Sequence, residues 1–98
     1  MSIQLNSEDR QILIQQRLKR FRKQFFHALA TCRLQFSRRR ECLVIHCPEP
    51  WIVDCLLEDV EALAEEARII VGARVISLYF VGEEVYQAST EPNVPLAS

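Results

Sequence analysis

The chain has 98 residues, about half of them apolar and a quarter charged, with two glycines and a net charge of −1. That length suits one domain with a modest core, and the apolar share argues against a disordered chain. No apolar run approaches the roughly 18 residues of a membrane span, and residues 1–10 lack the basic-then-apolar order of a signal peptide, so a cytoplasmic protein without a membrane partner is expected.

Near-neutrality hides an asymmetry. Residues 1–40 hold ten Lys/Arg against two acidic residues, whereas residues 41–98 hold Arg68 and Arg74 against eleven acidic ones. Such a division suggests a basic partner surface on the first part, or docking of a basic helix near an acidic one.

Asn6 or Ser7 can cap a first helix whose opening turn carries Glu8 and Asp9, where negative charge complements the helix dipole. Ile14, Leu18, Phe21, Phe25, Ala28 with Leu29, Cys32 and Phe36 hold one stripe at helical spacing, with Ile12, Leu13 and Phe26 off it. An unbroken helix through Phe36 would be about 43 Å long, more than a domain of this size needs. Either the chain bends or breaks near Ala30, Thr31 and Cys32, giving two helices, or its N-terminal turns project and pack on another protomer; the break is favoured, because Thr and Cys have poorer helix propensity than the neighbouring alanines. Arg17, Lys19, Arg20, Arg22 and Lys23 surround this helix with positive charge, and Arg38, Arg39 and Arg40 add a second cluster in the following loop. Clustered cations of this kind either contact phosphates or form a solvated face.

Residues 42–47, Cys-Leu-Val-Ile-His-Cys, read as a strand with Leu43, Ile45 and Cys47 on one face and Cys42, Val44 and His46 on the other. Pro48-Glu49-Pro50-Trp51 opens a helix, since proline lacks the N–H that a first turn leaves unpaired. Ile52, Leu56, Val60, Leu63, Ala67 and Ile70 then recur at steps of three or four, Asp54, Glu58, Glu61 and Glu65 repeat that spacing on the opposite side, and Gly72 is placed as the C-terminal stop. Trp51 stapling the entry turn into the core is the simplest reading of an aromatic at that position. Residues 74–81 repeat the strand signal with Ile76, Leu78 and Phe80 facing the core; Glu83 to Tyr86 extend it or return as a hairpin, and a flexible tail begins at Ala88.

The resulting expectation is an α+β fold, α(α)-β-α-β in two layers, with helices covering one face of a two- to three-stranded sheet. Residues 1–87 form the domain and 88–98 the tail. The strand–helix–strand crossover makes its two strands parallel. The bare face would carry Val44, His46, Ser77, Tyr79 and Val81, and could support self-association. Cys32, Cys42, Cys47 and Cys55 are expected to be reduced thiols; their spacing matches no zinc ribbon, so neither a metal nor a cofactor is expected.

On the run Leu43 to Ile45, Pro48, Trp51, Ile52 and Asp54, with Gly72 near the helix end and Phe80-Val81-Gly82 closing the last strand, the chain resembles the N-terminal domain of the bacterial replication initiator DnaA. A weaker likeness runs to the DciA-type helicase loaders. The resemblance covers about residues 42–82, and the upstream tryptophan of that family has no counterpart, Phe36 being the nearest aromatic. It implies a K-homology-like fold and an adapter that self-associates, contacts a replication protein and binds single-stranded DNA weakly. K-homology RNA binding itself needs a Gly-x-x-Gly loop, and Gly72 and Gly82 do not form one.

The functional expectation is accordingly a non-enzymatic protein-interaction module, working as a homodimer and linked to DNA replication, with Trp51, Asp54, Glu58, Glu61 and Glu65 as partner surface. The alternative is nucleic-acid binding through Arg17, Lys19, Arg20, Arg22, Lys23 and Arg38 to Arg40. No Gly-rich phosphate loop, His-Glu-x-x-His helix or nucleophile elbow is present, so no catalytic residue and no small-molecule substrate are expected.

Overall fold

Residues 32–37 alternate apolar and polar, Cys-Arg-Leu-Gln-Phe-Ser, and this alternation overrides the helical spacing of Cys32 and Phe36. In the computed structural model, which describes residues 7–91, that stretch is a strand and not the end of a long helix. Helix α1 spans Ser7–Gln24 and stops at Phe25, which leaves helical geometry at φ −127°; one further turn, α2, spans Phe26–Leu29. Strand β1 follows at once over Arg33–Ser37. The expected interruption thus exists, but the helix breaks first at Phe25 and the piece beyond Cys32 is β. The burial stripe survives the break: Leu18, Phe21, Ala28, Leu29 and Cys32 are all buried, while Ile12 and Phe26, off the stripe, are exposed. The proposed Asn6 cap lies outside the described residues.

β1 turns through Arg38, Arg39 and Arg40 into β2, Cys42–Cys47, pairing antiparallel with Leu34 opposite Ile45 and Phe36 opposite Leu43. After Pro48, α3 spans Pro50–Glu58 with proline in its first turn, as expected. It breaks at Asp59 and resumes as α4, Val60–Glu66, which ends in a π turn over Ala67–Val71. A π turn carries one residue more than an α turn. That extra residue rotates the stripe, so Val71 is buried and Ile70 only half-buried. Gly72 ends the helix at φ +81°, with its N–H and that of Ala73 both donating to the Ala67 carbonyl.

β3, Val75–Phe80, lies parallel to β2, with Leu43 opposite Ile76 and Ile45 opposite Leu78. β4, Glu83–Ser89, returns antiparallel through a two-residue turn in which Val81 and Gly82 both have positive φ, 53° and 75°. This backbone matches the right-handed twist of the strands it joins. The class is α+β as expected, but the sheet is larger: four strands in the order β1-β2-β3-β4. The ordered chain also reaches further than Gln87. Ala88 and Ser89 belong to β4, and beyond the strand Thr90 is buried, its N–H donating to the Arg74 carbonyl and its hydroxyl to the Ala73 carbonyl at 2.6 Å.

The core fills the space between the helices and one face of this sheet. Phe21, Leu29, Leu43, Ile45, Ile52, Leu63, Ile76 and Leu78 are fully buried. Each contributes about 1.5–3 kcal/mol of transfer free energy. α1 packs against the π turn and β1, and α3 against β2 and β3, so both helical segments lie in one layer. The other sheet face carries Gln35, Val44, His46, Ser77 and Tyr79; Val81, expected there, sits in the turn and is exposed.

Candidate functional site

Three surfaces gather the residues with functional potential. The first lies where the break after α1 meets the start of the central helix. Phe25, Phe26, His27 and Ala28 face Cys55, Leu56, Asp59 and Leu63 across a cleft of about 220 Å³. The helix-breaking geometry at Phe25 and at Asp59 opens it, because each break leaves a turn whose side chains no longer stack on the next. Trp51 borders this region, its ring centroid 6.4 Å from that of His27. The expected burial of Trp51 does not occur: the side chain is 50 % exposed and Phe26 is 68 % exposed. Ile52, one residue on, takes the core position instead.

Of the acidic residues grouped with Trp51, Asp54, Glu58, Glu61 and Glu65 are all exposed. Glu61 and Glu65 line a groove of about 680 Å³ between α4 and the edge strand β4, together with Val60, Arg68, Tyr86 and Glu91. The helix break at Asp59 falls between Glu58 and Glu61 of this expected partner set.

The basic residues separate as well. Arg17, Lys19, Arg20 and Lys23 are exposed on α1, and among the described residues no ion pair joins them to Glu58, Glu61 or Glu65. Arg22 differs. Its guanidinium donates to the carbonyls of Cys32 at 3.0 Å and Leu29 at 3.3 Å, with Ala30 at the limit of reach. The short α2 leaves carbonyls to be satisfied at its end: that of Leu29 takes the Cys32 N–H as well as Arg22, and Arg22 donates to that of Cys32. Its guanidinium thus has a structural role that nothing shows for the other cations of α1.

Arg38, Arg39 and Arg40 are exposed in the β1–β2 turn, on the other side of the molecule's layering. Arg40 lines a hollow of about 200 Å³ on the bare sheet face with Ser37, Cys42, Val44, Ser77, Tyr79, Glu84 and Gln87. Lys19 and Arg22 instead border a hollow beside Leu34, on the helix-covered side. The two cationic groups thus belong to different faces. On the bare face the His46 and Tyr79 rings lie 5.3 Å apart at 39°, and the His46 Nε2 atom sits 3.0 Å from Gln35 Oε1. Ser77 is buried at the floor of the hollow, and its hydroxyl has no hydrogen-bond partner in the protein. Burial, with Glu84 adding to it and Arg40 opposing, pushes the Cys42 thiol above its ordinary range.

The parity of β2 points His46 to the bare face and Cys47 into the core, so these two do not share a site. Among the described residues no group of three His, Cys, Asp or Glu side chains is arranged to hold an ion, and no helix is long and apolar enough to cross a membrane. Sequence reasoning missed His27 as a neighbour of Trp51, and Phe26 and Cys55 as lining of the cleft. The available signal was Phe26 itself, a large apolar residue off the buried stripe. Compared with known protein families, with curated proteins and with solved structures, the chain finds no match.

Proposed function

We propose that this chain is a non-enzymatic adapter of the cytoplasm that docks a protein partner where α2 meets α3. The observation carrying this reading is the outward position of Trp51 beside His27, which itself lines the cleft together with the exposed Phe26. Exposed aromatics in such a position are the residue types that anchor interfaces. Asp54, Glu58 and Asp59 stand on the same helical segment, so the fitting partner is a short segment with an apolar anchor flanked by Lys or Arg. The resemblance to the initiator's N-terminal domain supports a partner from DNA replication.

Trp51 is the single tryptophan, so its fluorescence reports directly on this surface. Titration with basic amphipathic peptides is expected to give a saturable change that acidic analogues do not produce and that Phe26→Ser weakens. Light scattering of the same samples distinguishes a peptide partner from a second copy, whose basic α1 would meet the same charge requirement. A strictly monomeric protein whose Trp51 emission no such peptide alters would end this reading.

One observation favours a second reading, binding of single-stranded nucleic acid. Arg40 and Tyr79 line one hollow, and the His46–Tyr79 ring pair offers a surface on which a base can stack. Arg38 and Arg39 would add phosphate contacts, whereas Arg17, Lys19, Arg20 and Lys23 lie in the helical layer and would need a separate site. Labelled oligonucleotides titrated at low salt decide it: the reading requires affinity that falls steeply with salt, and no micromolar binding removes it.

A further inference from the structure

The antiparallel register of β1 and β2 ends with Arg33 opposite His46, and the same register continued by one rung places Cys32, just before β1, opposite Cys47. Both side chains point to the covered face, two residues beyond Leu34 and Ile45, and both are buried and free. Directly opposed residues of an antiparallel pair have Cα atoms about 4.5–5.5 Å apart. A disulfide spans about 4.4–6.8 Å between Cα atoms, so the spacing of such a rung lies within its reach. In the reduced protein the Cys32 Sγ donates to the Ala28 carbonyl at 3.3 Å and the Cys47 Sγ lies 4.0 Å from that of Ile45. Cys42 faces the opposite side of the sheet and Cys55 lies on α3, so neither competes for this partner.

We propose that Cys32 and Cys47 form an oxidative modification site, which a peroxide converts into an intramolecular disulfide fastening the end of α2 to the segment that starts α3. The two sulfurs have unequal roles. The neighbouring Cys47 draws the Cys32 thiol below its ordinary range against the effect of burial, and the charge of Arg22 adds to it. The same pairing, with burial added, pushes Cys47 up. Cys32 is therefore the attacking thiolate and Cys47 the resolving thiol.

In the first step the Cys32 thiolate attacks one peroxide oxygen, the O–O bond breaks, and the departing hydroxide leaves as water once protonated, giving a sulfenic acid. In the second step the Cys47 sulfur attacks the Cys32 sulfur and the S–O bond breaks. The leaving hydroxide takes the Cys47 proton and departs as the second water. Two thiols and one hydrogen peroxide thus give one disulfide and two waters, the two electrons passing from the sulfurs to the peroxide.

This bond joins the two walls of the cleft described above, because His27 precedes Cys32 by five residues and Trp51 follows Cys47 by four. The inference itself rests on the thiol pair and stands whether or not that cleft binds a partner.

The test treats the full chain with hydrogen peroxide, counts free thiols after denaturation, and maps the products by tandem mass spectrometry. Free thiols should fall from four to two, with a Cys32–Cys47 link that dithiothreitol reverses. Cys55→Ser should leave that loss of two intact, whereas Cys32→Ser and Cys47→Ser should each abolish the link. Oxidation confined to Cys55, intermolecular dimers with Cys32 and Cys47 still reduced, or any other pairing would overturn the proposal. Because the map is made on the unsubstituted protein, it decides the matter even if a variant fails to fold.

Discussion

On the covered face of the sheet, β2 and β3 bury Leu43, Ile45, Ile76 and Leu78 completely, whereas on the bare face the same two strands carry Val44, His46, Ser77 and Tyr79. The strands are identical in backbone and register, so the difference comes from side-chain parity alone. Stability is concentrated on one parity, and the other is left free to vary. The helical layer repeats the contrast, since Leu18 and Phe21 are buried while Arg17, Lys19 and Arg20 beside them are exposed.

The sharpest way to break this contrast is to substitute both parities of one strand. Ile76→Ala removes a fully buried side chain from the centre of the sheet, and should cost about 2–5 kcal/mol in urea unfolding, a large part of the total for a domain of this size. A cost below about 1 kcal/mol would mean that the core does not sit where these contacts put it.

Next in size is a comparison of two arginines two residues apart. Arg22→Met keeps most of the side-chain volume but removes the guanidinium donor from the Cys32 carbonyl and leaves that of Leu29 with the Cys32 N–H alone, and should cost about 1–3 kcal/mol. Arg20→Met, on the exposed surface, should change stability by no more than about 0.5 kcal/mol. Equal effects would show that Arg22 is an ordinary surface cation.

These two arginines also mark the limit of what the sequence discloses. Composition and spacing identify a basic run, but which member turns inward depends on where α2 ends, and that end is set by tertiary contacts. The strand β2, the proline-led start of α3, the Gly72 stop and β3 were legible because each has a local cause in proline, glycine or a β-rich run. β1 was not, because Cys32 and Phe36, four apart, satisfy helical and strand periods equally. Leu34 between them, with Arg33 and Gln35 polar, is the residue that decides for a strand. The cleft beside Trp51 was hidden for a related reason: the breaks at Phe25 and Asp59 involve neither glycine nor proline, so nothing local announces them. Trp51 and Ile52 are both apolar at a helix start, and only packing determines which one enters the core.

A smaller effect is expected at the β3–β4 turn. Val81 is held at φ +53°, where a β-branched side chain is strained, and its side chain is exposed and so gains little from burial. Gly82 needs no substitution: a Cβ there would meet nothing within 4 Å, but its φ of +75° favours glycine. Val81→Asn places an Asn-Gly pair in the turn and should raise stability by about 1 kcal/mol. A loss of stability would mean that the Val81 side chain holds a contact the exposed turn does not suggest.

The smallest effect is expected from the bare face of the same strand that opened the comparison. Ser77 neighbours Ile76 and is equally inaccessible, yet its hydroxyl meets no protein partner at the floor of the hollow lined by Arg40 and Tyr79. Ser77→Ala deletes a polar group that costs desolvation and returns no internal hydrogen bond, so stability should stay within about 0.5 kcal/mol or rise slightly. A loss of about 1 kcal/mol or more, measured beside Ile76→Ala in the same urea series, would show that this hydroxyl is paired in solution. The bare face would then carry part of the stability assigned to the covered one, and the division between the two parities would fail at its closest point.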